Sequence, residues 1–312
     1  MRITWWAVLA AGLVLLHLPE RAEAWGPGFH VSAGSTVLEL LPLLPPMVAA
    51  LLARHREAFL YGNVAADVVF AKRLSPVKQF CHHWATGLRL LDEAGNGRER
   101  ALAYGYLSHL AADTVAHGKY VPRQVLLSQS TVNLGHFYWE LRADRLVQPH
   151  AWTGLKVLLA QNHAADHRAL ARHLSRAMLP YPLNRVLFDR INALAVSPAV
   201  CTTLNGWSRL SRRALPVELV RKFREESVDR ILSVLSEGQR SPVLREDPAG
   251  TGALMQAAVR RRELRRLRRH RLSTEHWLRE VGEGFAPASY VPVAMDGVVM
   301  DEPALAQLSG SA

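Results

Sequence analysis

The chain has 312 residues, 49% of them hydrophobic and 21% charged, with a formal net charge of +11 at neutral pH. That composition excludes a disordered chain and supplies enough apolar residues for one sizeable core. The basic balance favours anionic partners such as phosphates, nucleic acid or acidic lipid surfaces. Two cysteines, Cys81 and Cys201, are too few for a fold resting on a disulfide framework; one bridge between them stays open.

Met1 and Arg2 begin a short positive segment, Trp5 to Leu18 is an apolar run, and Ala22-Glu23-Ala24 has the small-x-small pattern of a signal-peptidase site. The run is shorter than the roughly 20 residues a membrane span needs. We expect residues 1–24 to be a cleaved signal peptide, Trp25 to be the first mature residue, and the protein to be secreted or periplasmic. An uncleaved anchor is the alternative.

Beyond Trp25 the periodicity is helical almost throughout, and the expected fold class is all-α. Helices are expected over 35–44, stopped by Pro45-Pro46, and over 47–59, 98–117, 131–146, 166–178, 183–195 and 217–235. The Pro- and Gly-containing stretch from Glu237 to Gly252 reads as a linker. The expected organisation is therefore a signal peptide (1–24), a catalytic domain (25–238), and a linker, basic helix and extended tail (239–312). The basic helix, Arg260 to Arg271, carries sparse leucines and could lie on an anionic membrane surface, bind nucleic acid, or simply be a solvated helix docked by those leucines.

The chemistry resides in the 14 histidines. His109, Asp113 and His117 stand at i, i+4 and i+8, which at about 3.6 residues per turn drifts only about 80° around a helix. His136 and Glu140 repeat the i, i+4 pair. Imidazole and carboxylate one turn apart suit a borderline divalent cation such as zinc. His163, Asp166, His167 and His173 have similar spacing, and we read them as a solvated helix face. Trp84, Phe137, Tyr138 and Trp139 adjoin candidate ligands and read as core or as a stacking surface.

In order, the chain offers Trp25-Gly-Pro-Gly-Phe-His30, Tyr61-Gly-Asn-Val-Ala-Ala-Asp67, Cys81-His82-His83-Trp84, then His109, Asp113, His117, His136 and Glu140. This ordered set resembles the zinc-dependent phospholipase C family, and also the single-strand-specific nucleases of fungi and plants that share its fold. The resemblance covers roughly residues 25–200. It implies an all-α domain around a trinuclear zinc cleft, with about three Zn2+ per chain. Asp67, His83, His109 and Asp113 would hold the first ion, and His117, His136 and Glu140 the second. The amine and carbonyl of Trp25 with His30 would hold the third, bridged to the first by Asp113.

His83 is preferred to His82 because an aromatic follows it, as in the family. The implied catalyst is a zinc-bound water, with Asp67 a candidate general base. The implied enzyme is a zinc metallohydrolase acting on phosphodiesters, with phospholipid as substrate. The alternatives are a nuclease or nucleotidase of the same fold and a non-catalytic zinc-binding exported protein. Glu140, where the nucleases carry an aspartate, and the low cysteine count favour the lipase side. His117 follows Asp113 more closely than in the family's secreted members. No acidic residue lies between Gly26 and Phe29, which removes support for a choline preference. Oligomeric state is not legible.

Overall fold

A computed structural model of the chain describes residues 25–69, 80–128, 132–146, 149–174, 179–195 and 215–285, the strand residues 293–295 and 298–300, and isolated positions 197, 202 and 206. The candidate signal segment 1–24 and Cys201 lie outside the described residues, as does the side chain of His136. Cys81 is buried and carries a free thiol.

The fold is all-α, with one short antiparallel hairpin near its end that pairs Val293–Met295 with Val298–Met300. Chain order gives α1 (Pro27–Glu39), α2 (Pro46–Arg54), α3 (Arg56–Ala65), α4 (Trp84–Asp92) and α5 (Gly97–Val115). A π-helical turn over Ala116–Tyr120 runs on from α5 into α6 (Val121–Ser128). Then come α7 (Val132–Arg145), α8 (Pro149–Leu159), α9 (Ala164–His173), α10 (Tyr181–Ala195), α11 (Val217–Glu237), α12 (Thr251–Arg269) and α13 (Glu275–Gly284). Among the described residues no helix is long and apolar enough to cross a membrane.

The centre of the molecule is α5. Asn96 caps it by accepting from the Glu99 amide at 3.0 Å, and the Glu99 carboxylate returns to the Gly95 amide at 3.1 Å. From Ala101 to Val115 every residue except Tyr104 is buried, so polar groups on this helix face other helices rather than water. Helices α3, α4 and α11 pack around it. The α3–α5 crossing is unusually close because glycines meet there. A Cβ at Gly62 would lie 2.2 Å from the Leu102 carbonyl oxygen, and one at Gly105 would lie 2.0 Å from that of Phe59. This contact presses the end of α3, with Asn63 and Asp67, against His109.

Several elements differ from the sequence expectation, among them the helix expected over 47–59, which breaks at His55 into α2 and α3. Helix α1 begins at Pro27 rather than near Ser35, because Asp144 of α7 accepts from the Phe29 amide at 2.7 Å and so caps α1 from 115 residues away. The stretch expected as a linker folds into 3₁₀ turns (Gly238–Arg240 and Pro242–Arg245) and a turn in which Pro248, Ala249 and Gly250 are buried. The expected extended tail is preceded by a further helix, α13, which runs from Glu275 to Gly284. Helix α12 docks on α6 through Leu126 and Ala257, with Trp277 and Phe285 packed beside them. Its arginines at 262, 265, 266, 268 and 269 stay exposed.

Candidate metal centre

Five buried side chains converge where α1, α3 and α5 meet: His30, Asp67, His82, His109 and Asp113. His30 comes from α1, Asp67 from the 3₁₀ turn after α3, and His109 and Asp113 from successive turns of α5. His82 ends a 3₁₀ turn over Phe80–His82. The Tyr106 hydroxyl donates to the Cys81 carbonyl and the Thr86 hydroxyl to the Phe80 carbonyl at 2.7 Å, and these bonds pin the turn.

The distances have a pattern. His82 Nε2 is 3.3 Å from Asp67 Oδ1, 3.2 Å from Asp113 Oδ2 and 3.3 Å from His109 Nε2. His109 Nε2 is 3.2 Å from Asp113 Oδ2 and 3.8 Å from Asp67 Oδ2. Ligands bound tetrahedrally to zinc at about 2.0–2.1 Å stand about 3.3 Å apart, the edge of the tetrahedron. Four of the five separations match that edge. On the other side of Asp113, Oδ1 faces His30 Nε2 at 3.4 Å, so the carboxylate presents one oxygen to each of two positions.

Hydrogen bonding does not account for this convergence. Both oxygens of Asp113 and both ring nitrogens of His30 are buried without a hydrogen bond, an expensive arrangement for a polar group. The remaining rings are held from behind. His109 Nδ1 donates to the Asn63 carbonyl at 2.8 Å, and His82 Nδ1 is 3.3 Å from Cys81 Sγ. With its Nδ1 committed in this way, His109 presents the Nε2 lone pair inward, 3.2 Å from the Asp113 carboxylate, and a cation between the two relieves their repulsion. Burial, with His109 nearby, holds His30 below the ordinary imidazole range, which keeps it neutral and able to ligate. Burial opposes the charge on Asp113, yet His109, His30 and His82 hold its carboxyl well below the usual carboxylate range. The residues present fit a divalent cation with nitrogen and oxygen ligands.

The structure differs from the expectation at His83. That residue is exposed and is the N-cap of α4, while its neighbour His82 is buried among the five. The aromatic after His83 turns elsewhere: Trp84 Nε1 donates to the Glu246 carbonyl at 2.9 Å.

His117 stands beside the five. Its ring centroid is 6.3 Å from that of His82, and its Nδ1 donates to the Pro248 carbonyl at 2.6 Å. The π turn begins at Ala116, just before it, and re-aims the residues that follow Asp113. Glu140 is buried on α7, one turn after His136. Tyr120 OH donates to the Trp139 carbonyl at 2.7 Å, which ties the π turn to α7 next to Glu140. Trp25 is buried, stacked on Phe29 at 3.8 Å, and its Nε1 donates at 3.2 Å to the carbonyl of Ala112, the residue before Asp113.

The second histidine group is also placed differently from expectation. His163, Asp166 and His167 are 4%, 1% and 7% exposed, so they form no solvated face. Asp166 accepts from both Arg98 Nε and Nη2, at 2.8 and 2.7 Å, and from His163 Nδ1 at 2.9 Å. His163 Nε2 reaches the Leu158 carbonyl at 2.7 Å, and its ring stacks on Tyr61 at 3.8 Å. His167 Nδ1 bonds the Tyr181 hydroxyl at 2.9 Å. Nothing in the sequence signalled this network, because its partners lie on distant helices.

Searches among curated proteins and among solved structures find no match to the chain. The family model described as zinc dependent phospholipase C matches residues 29–184, half of the chain, a span that takes in all five converging residues together with His117, His136 and Glu140. The chain therefore belongs to the zinc-dependent phospholipase C family, and the buried His and Asp groups around α5 lie within its metallohydrolase domain.

Proposed function

We propose that the protein is an exported phospholipase C that hydrolyses a phosphodiester bond of phospholipids with about three zinc ions. The observation that carries this reading is the Asp113 carboxylate, buried, without hydrogen bonds and set between His30 on one side and His82 and His109 on the other.

Asp67, His82, His109 and Asp113 would hold one ion. Asp113, His30 and the amine and carbonyl of Trp25 would hold another, and His117, His136 and Glu140 a third. Zinc in these sites would supply a Lewis acid for phosphoryl oxygens and would bring the pKa of a bound water to near 7. Asp67 has its closer contact through Oδ1, to His82, and its looser one through Oδ2, 3.8 Å from His109. Asp67 is also the candidate general base. The apolar surroundings, with Trp25, Phe29 and Tyr120 stacked beside α5, keep bulk water from the ligands and strengthen every charge interaction among them.

Export follows from the signal pattern of residues 1–24. The exposed arginines of α12, with Met255 and Val259 also exposed on that helix, suit an anionic phospholipid surface. The same positive charge suits a polynucleotide, so single-strand nuclease is the second reading. One assay tests the proposal: zinc-loaded protein beginning at Trp25, offered phosphatidylcholine, phosphatidylinositol and single-stranded DNA side by side. Release of a phosphorylated head group, fastest from vesicles containing anionic lipid, is the expected result. Cleavage of DNA with no lipid turnover would overturn the lipase reading.

A further inference from the structure

The family match ends at residue 184, yet a turn more than sixty residues later is built against one of the proposed ligands. The turn is Asp247-Pro248-Ala249-Gly250. Its Pro248 carbonyl accepts from His117 Nδ1 at 2.6 Å, a shorter contact than that between His109 and Asn63. Gly250 adopts φ +59°, the left-handed region that favours glycine, and a Cβ there would fall 2.3 Å from His117 Cβ and 2.6 Å from its carbonyl oxygen. Only a residue without a side chain lets the turn approach His117 this closely.

The turn is also held in shape independently of His117. Asp247 Oδ1 accepts from the Ala249 amide at 2.9 Å, Oδ2 accepts from the Thr251 amide at 2.8 Å, and the Asp247 carbonyl accepts from the Gly250 amide at 3.0 Å. On its other flank Glu246 is fixed twice. Its carbonyl accepts from Trp84 and its carboxylate pairs with Arg230, which also reaches Thr114, the neighbour of Asp113, at 3.3 Å.

A backbone carbonyl that takes the proton of one imidazole nitrogen fixes both the tautomer and the angle of the ring, the arrangement that raises a histidine's quality as a metal ligand. We propose that the Asp247–Gly250 turn is a positioning element for His117: the region beyond the family match supplies the carbonyl that aims this ligand. The inference rests on the reading of His117 as a zinc ligand given above. Pro248 contributes through its carbonyl, Asp247 through the shape of the turn, and Gly250 through the room it leaves.

The test measures zinc retention in the full-length holoprotein by titration with a competing chelator, alongside the unfolding temperature of the metal-free form. Asp247→Ala removes an exposed side chain, and Gly250→Ala intrudes on His117. Each should weaken one class of bound zinc by about tenfold to a hundredfold, the usual effect of losing a ligand's outer partner, and leave the other ions at wild-type affinity. His117→Ala should release that same class. Pro248→Ala keeps the carbonyl and should match wild type within about twofold in this titration. If His117→Ala leaves zinc retention unchanged, the ligand assignment fails and this inference with it. If His117→Ala releases zinc while Asp247→Ala and Gly250→Ala retain it as wild type does, the positioning role alone is overturned. Should Gly250→Ala fail to fold, Asp247→Ala decides the matter.

Discussion

Two buried histidine groups share residue types and spacing but use their polar atoms in opposite ways. Around α5, His30, His82, His109 and Asp113 point at one another across 3.2–3.4 Å, and the Asp113 oxygens and His30 nitrogens make no hydrogen bond. At the start of α9, His163, Asp166 and His167 each find partners of ordinary hydrogen-bond length in Leu158, Arg98 and Tyr181. The first group is costly as it stands and calls for a cation. The second is complete and ties α9 and α10 to α3 and α5. Satisfaction of the buried atoms, and not the count or spacing of histidines, separates a metal centre from a structural network.

This difference predicts a ranking. The largest effect belongs to Asp113→Asn, which removes the carboxylate shared by two positions. Metal analysis should show loss of more than one zinc, and turnover should fall by orders of magnitude. Next, His82→Ala should lose zinc and activity on a similar scale while His83→Ala, altering an exposed cap, stays within a few-fold. The reverse pattern would restore His83 to the site. A single alanine placed before Trp25 should come third. The α-amine, with a pKa of about 7.7–8.0, becomes an amide that cannot ligate, so roughly one zinc and most activity should be lost with the fold intact. Equal zinc in both forms would show that the amine takes no part.

The smallest effect on chemistry, and a distinct one on stability, belongs to the second group. His167→Phe strands the Tyr181 hydroxyl and should lower unfolding free energy by about 1–3 kcal/mol, with zinc content and turnover nearly unchanged. Its pH dependence follows in sign. Burial, then Arg185 and His163, lower the His167 pKa to about 4, beneath the ordinary 6.5. Between these values the unfolded chain binds a proton that the folded chain refuses. The stability it contributes is therefore present above pH 6.5 and eroded as pH falls toward 4. Denaturant melts across that window should show a shallower slope in His167→Phe than in wild type.

Much of this was legible in the sequence, and the failures share a cause. Helical periodicity identified α5 and α11 closely, and the resemblance to the zinc-dependent phospholipase C family implied a shared site for His30, Asp67, His109 and Asp113 before any geometry was known. The choice between His82 and His83 was not legible. It depends on a 3₁₀ turn that Tyr106 and Thr86 fasten, one of them 25 residues away, and the residue after His83 carries no information about that turn. The α9 group looked solvated because its partners, Arg98 and Tyr61, lie 68 and 106 residues earlier in the chain. Likewise, Pro and Gly in 237–252 correctly signalled turns, but composition says nothing of what a turn packs against, and here it is His117. Local pattern reports which residues share a helix face. Which face is buried, and against what, is decided at long range.

The most direct measurement is anomalous X-ray scattering at the zinc edge from crystals of the metal-loaded protein. The account predicts a peak enclosed by Asp67, His82, His109 and Asp113, with Nε2 of each histidine about 2.0–2.1 Å away, and a second peak between Asp113 Oδ1 and His30. No peak among these residues, or a peak at His163 and His167 instead, would contradict it.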